Sequence, residues 1–252
     1  MVLERLNELI ADHSLPVGIA FSLKRLCLGY VITLSIGFIL GILLGWSDGL
    51  RSSVGTLLMG FQSLPSVAWV PLATIWFGLS ETAIYFVIVM SSVSAVVIAV
   101  SDGIRGVNPL YLRAARTMGV RGLGVMIRVV LPAAFPSIIT GLKLGWTFGW
   151  HGVVAAEMMQ ALPGLGFLLH MGRELADMSQ VLGIMFVVIA IGFLVERLFF
   201  GTVERRIRER WGLKATYAAN STNRERLSYH LAKPPKRPRA VQPGVAILCG
   251  AF

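Results

Sequence analysis

Long stretches without charge alternate with short charged ones along this chain, and that alternation predicts its elements. Residues 26–46 carry no charged side chain. Residues 52–80 carry none either, although Pro65 and Pro71 interrupt them. Residues 82–101 form a clean run rich in Val and Ile, residues 129–156 hold only Lys143, and residues 178–195 continue past Glu196 and Arg197 to Phe200. A helix rises about 1.5 Å per residue, so runs of this length cross a bilayer core of roughly 30 Å. A helix also satisfies its own backbone groups in lipid. None of the runs alternates with the period of two that a membrane barrel strand requires. The expected fold is all-α: a polytopic membrane bundle of about five transmembrane helices.

Ahead of the first run, Leu3, Leu6, Leu9 and Ile10 fall at helical spacing, with Glu4, Arg5, Asn7 and Glu8 between them. This is an amphipathic helix, lying at the outer interface or packed on the bundle. Residues 1–25 are thus read as an N-terminal amphipathic segment, 26–203 as the membrane domain and 204–252 as a basic tail. In the first span Gly37, Gly41 and Gly45 recur every fourth residue, a stripe that lets a neighbouring helix approach closely.

Between the third and fourth runs lies a segment of another kind. From Arg105 onward it carries Arg105, Arg113, Arg116, Arg121 and Arg128 and no acid. Asn108 is a good N-cap, Pro109 suits the first helical position, and Gly119 is a natural stop, so a short helix is expected over 110–118. A second short helix is expected from about Leu123 to Leu131, ended by Pro132. Ala114 and Ala115 would leave a smooth surface for another protein, flanked by the charges of Arg113 and Arg116.

Charge sets the orientation. With the N-terminus outside, the inner connections hold Arg51, the five central arginines and the Arg- and Lys-rich tail, whereas the outer ones hold only Arg5, Lys24, Arg25 and Arg173. That is the positive-inside arrangement, with the C-terminus in the cytoplasm. Composition agrees: 55% of residues are hydrophobic, 14% are charged, and the mean hydropathy is +0.72. The net charge of +10 is concentrated beside apolar runs, and no nucleic-acid module is recognisable, so nucleic acid is excluded as a partner. Cys27 and Cys249 are read as neither a disulfide nor metal ligands. Residues 1–11 lack the apolar core of a cleavable signal.

The pattern Arg113-Ala114-Ala115, Gly119, Val129, Leu131 and Pro132 resembles the EAA loop of permease subunits of binding-protein-dependent ABC importers. The stretches YLRAARTMGV, SLPSVAWVPLATIWFGLSETA, GWHGVVAAEMM and PGLGFLLHMGRE are similar to the sulfonate, taurine and nitrate branch of that family. The resemblance covers roughly residues 20–213. It implies a type I importer permease in a bacterial inner membrane, with a coupling loop at 104–132 that docks on a cytoplasmic ATPase. It implies an external substrate-binding protein and a second permease copy as further partners, with ATP consumed by the partner ATPase. No cofactor is expected in the chain, which has no phosphate-binding loop of its own. The ATPase-coupling residues would be Arg113, Ala114, Ala115, Gly119, Leu131 and Pro132. The family usually has Glu where Arg113 stands, so one contact with the ATPase would be altered or made elsewhere. The family often has a further N-terminal span; its absence would reflect truncation or a five-span form. The tail after Lys214 matches nothing in the family and reads as a disordered end or a basic surface anchor.

Lys143 is expected to be the only charge well inside a span. It is either a station in the anion pathway or a snorkelling cation near the inner interface. Glu157 closes the fourth span on its outer side, where it lines a gate, meets the binding protein or simply faces the interface. His151 and His170 are single histidines without a ligand partner, so no metal site is expected. No catalytic set converges, which disfavours a membrane enzyme. The alternative to a permease is a membrane scaffold or receptor that binds a cytoplasmic partner without transport.

Overall fold

The computed structural model describes residues 2–210. The expectations for the tail from residue 211 onward, including Cys249, lie outside the described residues. Every regular element among the described residues is helical.

The amphipathic start forms α1 (Val2–Ala11). Only part of its apolar face packs on the bundle: Leu9 is buried and Leu6 lies where a side chain on Gly183 would stand, whereas Leu3 and Ile10 are exposed. The long helix α2 (Ser14–Trp46) follows. It begins well before the uncharged run at residue 26, so Lys24 and Arg25 belong to it and not to an outer connection. Next come two arms, α3 (Asp48–Gln62) and α4 (Ser66–Phe77), bent 96° at their junction. Pro65 stands at that junction with extended backbone, since proline fixes φ and offers no N–H to continue the helix. Then come α5 (Glu81–Arg105), the short α6 (Pro109–Thr117) and α7 (Leu123–Gln160). The chain closes with α8 (Leu165–Glu174) and α9 (Met178–Arg206), the latter continuing helical to Arg210.

Glycine spacing reveals the topology. A Cβ on Gly29 would strike Ile88, on Gly37 Val96, on Gly41 Val100 and on Gly45 Ile104. Both residue numbers rise together, so α2 and α5 run parallel. At Gly41 the added carbon would lie 2.6 Å from the Val100 Cβ, so only hydrogen fits there. Parallel neighbours require a return crossing between them, and the bent pair α3–α4 supplies it. Among the described residues four helices are long and apolar enough to span a membrane, and the bent pair, counted as one span, makes a fifth. On α7, Gly141 meets Ala99, Gly145 meets Val96 and Gly152 meets Ser91, so α7 runs antiparallel to α5. Gly192 meets Trp150 and Glu196 meets Lys143, so α9 runs antiparallel to α7. The N-terminal helix and the end of α9 at Arg206 therefore lie at opposite ends of the bundle.

Two polar contacts pin this interior. Thr33 Oγ1 and Ser92 Oγ share a hydrogen bond at 2.9 Å, and the Tyr30 hydroxyl donates to the Leu142 carbonyl at 2.6 Å.

Pro132 does not end a helix. The turn before it, Met126–Val130, is a π-turn, and α7 runs on without a break. A proline ring clashes with the carbonyl four residues back, here that of Arg128; the wider π-turn displaces that carbonyl. The second short helix and the fourth span are thus one element.

Candidate functional site

At the end where α2 and α5 finish, α6 stands across the bundle. Asn108 Oδ1 accepts from the Leu110 N–H at 2.9 Å, and Pro109 occupies the first turn, where a missing N–H costs nothing. The other end closes as a Schellman motif: Gly119 N–H donates to Arg116 O and Val120 N–H to Ala115 O, both at 3.1 Å. Gly119 has φ +83°, a left-handed conformation that a Cβ disfavours. The helix is fixed at both ends by residues legible in the sequence.

Its faces differ from expectation. Ala115 is 1% exposed and turned toward the bundle. The outer face carries Leu110, Tyr111, Ala114 and Met118, with Arg113 and Arg116 beside them, all exposed. The smooth pair of alanines is therefore one buried contact and one surface position. Leu131 and Pro132 are half-buried at the root of α7. Behind α6 lies a cleft of about 740 Å³ between the ends of α2 and α5, with Arg105, Arg116 and Arg121 on its walls. Arg105 pairs with Asp48 at 2.5 Å and Arg51 with Asp102 at 2.9 Å, tying the root of α3 to the end of α5.

The opposite end holds a buried ionic cluster. Arg25 is 2% exposed and Glu157 0%. Arg25 Nη1 donates to Glu157 Oε1 at 3.0 Å and to the Pro163 carbonyl at 2.6 Å, and Nη2 donates to Glu81 Oε1 at 3.1 Å. Glu157 Oε2 accepts from Ser22 Oγ at 2.7 Å and from the Gly166 N–H at 3.1 Å. The Ser22 hydroxyl in turn accepts from the Leu165 N–H at 2.9 Å. One arginine and one carboxylate thus join α2, α5, α7 and the start of α8. Gly164 lies so close to the Glu157 carboxyl group that a Cβ there would fall upon it.

This revises two expectations. Lys143 is not the only charge deep in a span, because Arg25 and Glu157 lie deeper. Lys143 itself is 35% exposed, and its Nζ meets Glu196 Oε1 at 2.6 Å. Glu157 does not face an interface; it is enclosed. Sequence reading missed the cluster because Arg25 sits at the edge of an uncharged run and looks like a flanking cation. A second omission concerns the two histidines. His151 on α7 and His170 on α8 border one cavity of about 670 Å³. Among the described residues no group of His, Cys, Asp and Glu is arranged to hold a metal.

A helical bundle crossed five times, with a capped helix projecting at one end, defines a membrane transport subunit of the type I importer architecture. The chain belongs to the family of binding-protein-dependent transport system inner membrane components, which it matches over residues 36–209. It is 35% identical over 190 residues to a putative ABC transporter permease of Methanocaldococcus jannaschii, covering 75% of this chain and 71% of that one. It is 33% identical over 196 residues to the taurine transport system permease of Escherichia coli K12, covering 78% and 71%. It is 30% identical over 187 residues to the nitrate import permease of Leptolyngbya laminosa, covering 74% and 67%. Among solved structures, the inward-facing MetNI methionine ABC transporter superposes with a TM-score of 0.65 at 16% identity, over 78% of this chain and 97% of that one, a likeness of fold.

Proposed function

We propose that this chain forms the translocation pathway of an ATP-driven importer for a small anion and couples it, through α6, to a cytoplasmic ATPase. The observation that carries this reading is the helix Pro109–Thr117: capped at both ends, seated on the bundle through Ala115, and presenting Leu110, Tyr111, Ala114 and Met118 outward. An exposed apolar face rimmed by arginines and held by a rigid corner suits transmission of force to a partner. The anion reading draws on the taurine and nitrate transport named for two relatives.

Orientation follows from charge. Arg51, Arg105, Arg113, Arg116, Arg121 and Arg128 share the end of the bundle that carries α6, and the positive-inside rule supports a reading with that end cytoplasmic and α1 outside. The buried Arg25–Glu157 cluster then lies on the outer side, where an external binding protein would deliver its cargo. A second copy of the chain completes the pathway.

The test is reconstitution with a cognate ATPase and external binding protein. Stimulation of ATP hydrolysis by loaded binding protein, lost in Tyr111→Glu, is the expected result. Equal stimulation in that variant removes the coupling role from α6. Wild-type vesicles that hydrolyse ATP on stimulation yet accumulate neither taurine nor nitrate remove the anion.

A further inference from the structure

The groove between α7 and α9 contains two cavities, not one. The outer cavity, about 670 Å³, is bordered by His151, His170 and Arg173, with Trp150 and Val188 as apolar wall and Val67, from the start of α4, at its rim. No carboxylate lines it. The second cavity, about 230 Å³, shares Trp150, His151 and Val188 with the first and extends to Glu196. Glu196 is the residue that holds Lys143. His151 therefore stands at the junction of the two spaces, and Lys143 lies beyond the second, joined to it through Glu196. The eight-residue step from His151 to Lys143 on α7 corresponds to about 12 Å of helix axis. Met158 and Met159, which line the outer cavity, extend the same file by about as much again.

Building on the anion-import reading above, we propose that this double cavity is the anion-holding site of the pathway, taking a small, singly charged oxyanion such as a sulfonate or nitrate. His170 and Arg173 receive it, His151 holds it at the waist, and Lys143 takes it at the inner end. An anion leaving water for an apolar wall loses its hydration, and N–H donors spaced along the wall replace part of it. The walls repel cations and offer them no carboxylate until Glu196. Trp150 and Val188 give an organic tail an apolar surface. Two features keep the site weak enough to release its cargo, as conduction requires. Arg173 is shared with Glu174 at 3.1 Å, with both side chains largely exposed. The Lys143–Glu196 pair is also partly solvated, and pairs of this kind contribute little, so an arriving anion displaces Glu196 from Lys143 at low cost.

The experiment requires no partner protein. Val154, which lines the outer cavity, is replaced by cysteine in a chain carrying Cys27→Ser and Cys249→Ser, held in lipid nanodiscs. The thiol is modified with an anionic sulfonatoethyl methanethiosulfonate and with its cationic trimethylammonium analogue. The ratio of the two rates is divided by the same ratio for a small thiol in solution. A positively lined cleft raises the normalised ratio about ten-fold in favour of the sulfonate. The leucine pair His151→Leu with His170→Leu lowers it, and adding Arg173→Gln returns it to near one. A wild-type ratio at or below one, or a ratio unchanged by the leucine replacements, overturns the proposal. Taurine or nitrate uptake by reconstituted vesicles reports separately on the import reading: no uptake with the ratio intact sinks that reading and leaves the site standing.

Discussion

Replacing Arg25 by methionine removes the cation that pairs with Glu157, a carboxylate with no exposure to solvent. Glu157 keeps its hydrogen bonds from Ser22 and the Gly166 N–H but loses the charge that compensates its burial. Glu81, half-exposed, loses a partner too and turns to water at little cost. Breaking one side of a buried ion pair costs about 3–5 kcal/mol, and with both groups almost fully enclosed there is no reason to discount the figure for screening. For a chain of this size that is a fall in melting temperature of roughly 6–20 °C. The double replacement Arg25→Met with Glu157→Gln removes the orphaned charge, and the glutamine carbonyl still accepts from Ser22. The double variant is therefore expected to be about 2–3 kcal/mol more stable than Arg25→Met alone. The assay is thermal unfolding in lipid nanodiscs, followed by tryptophan fluorescence, for the four proteins of the cycle. If Arg25→Met melts with the wild type, or the double variant is the least stable of the four, the cluster does not clamp its end of the bundle.

Three further outcomes follow from the same geometry. Gly41→Ala places a carbon 2.6 Å from the Val100 Cβ, and overpacking of this kind costs about 1–3 kcal/mol, read as a lower melting temperature with the oligomeric state unchanged. Gly119→Ala forces a Cβ into a left-handed position at about 1–2 kcal/mol; the reconstituted complex is expected to lose stimulated ATP hydrolysis while the permease alone still folds and inserts. Lys143→Met breaks only a partly exposed pair, so stability changes by less than about 1 kcal/mol, whereas taurine or nitrate uptake falls at least several-fold.

The local features were legible in the sequence and the distant ones were not. Asn108, Pro109 and Gly119 each act within a few residues, so the bounds of α6 followed from capping chemistry alone. The spans followed from charge-free runs long enough to cross a bilayer. Arg25 and Glu157 are 132 residues apart, and nothing near either announces the other; a cation beside an apolar run reads as a flank until the facing helix is seen. Pro132 misled because the remedy, a π-turn, involves bulky apolar residues with no distinctive spacing. Ala115 was placed on the wrong face because two adjacent alanines look alike until the bundle selects one. His151 and His170 looked isolated because the chain reverses between α7 and α8, and that reversal brings them to one cavity.

Glycine at every crossing of α2, α5 and α7 has a mechanical consequence. Helices in backbone contact have few long side chains to slide past one another, so the three behave as a stiff plank. The ionic cluster is bolted to one edge of that plank and α6 to the other. A push on α6 would then not be dissipated by bending along the way but would rotate the whole plank, so displacement at the α6 edge would reappear, reversed in sense about the pivot, at the far edge.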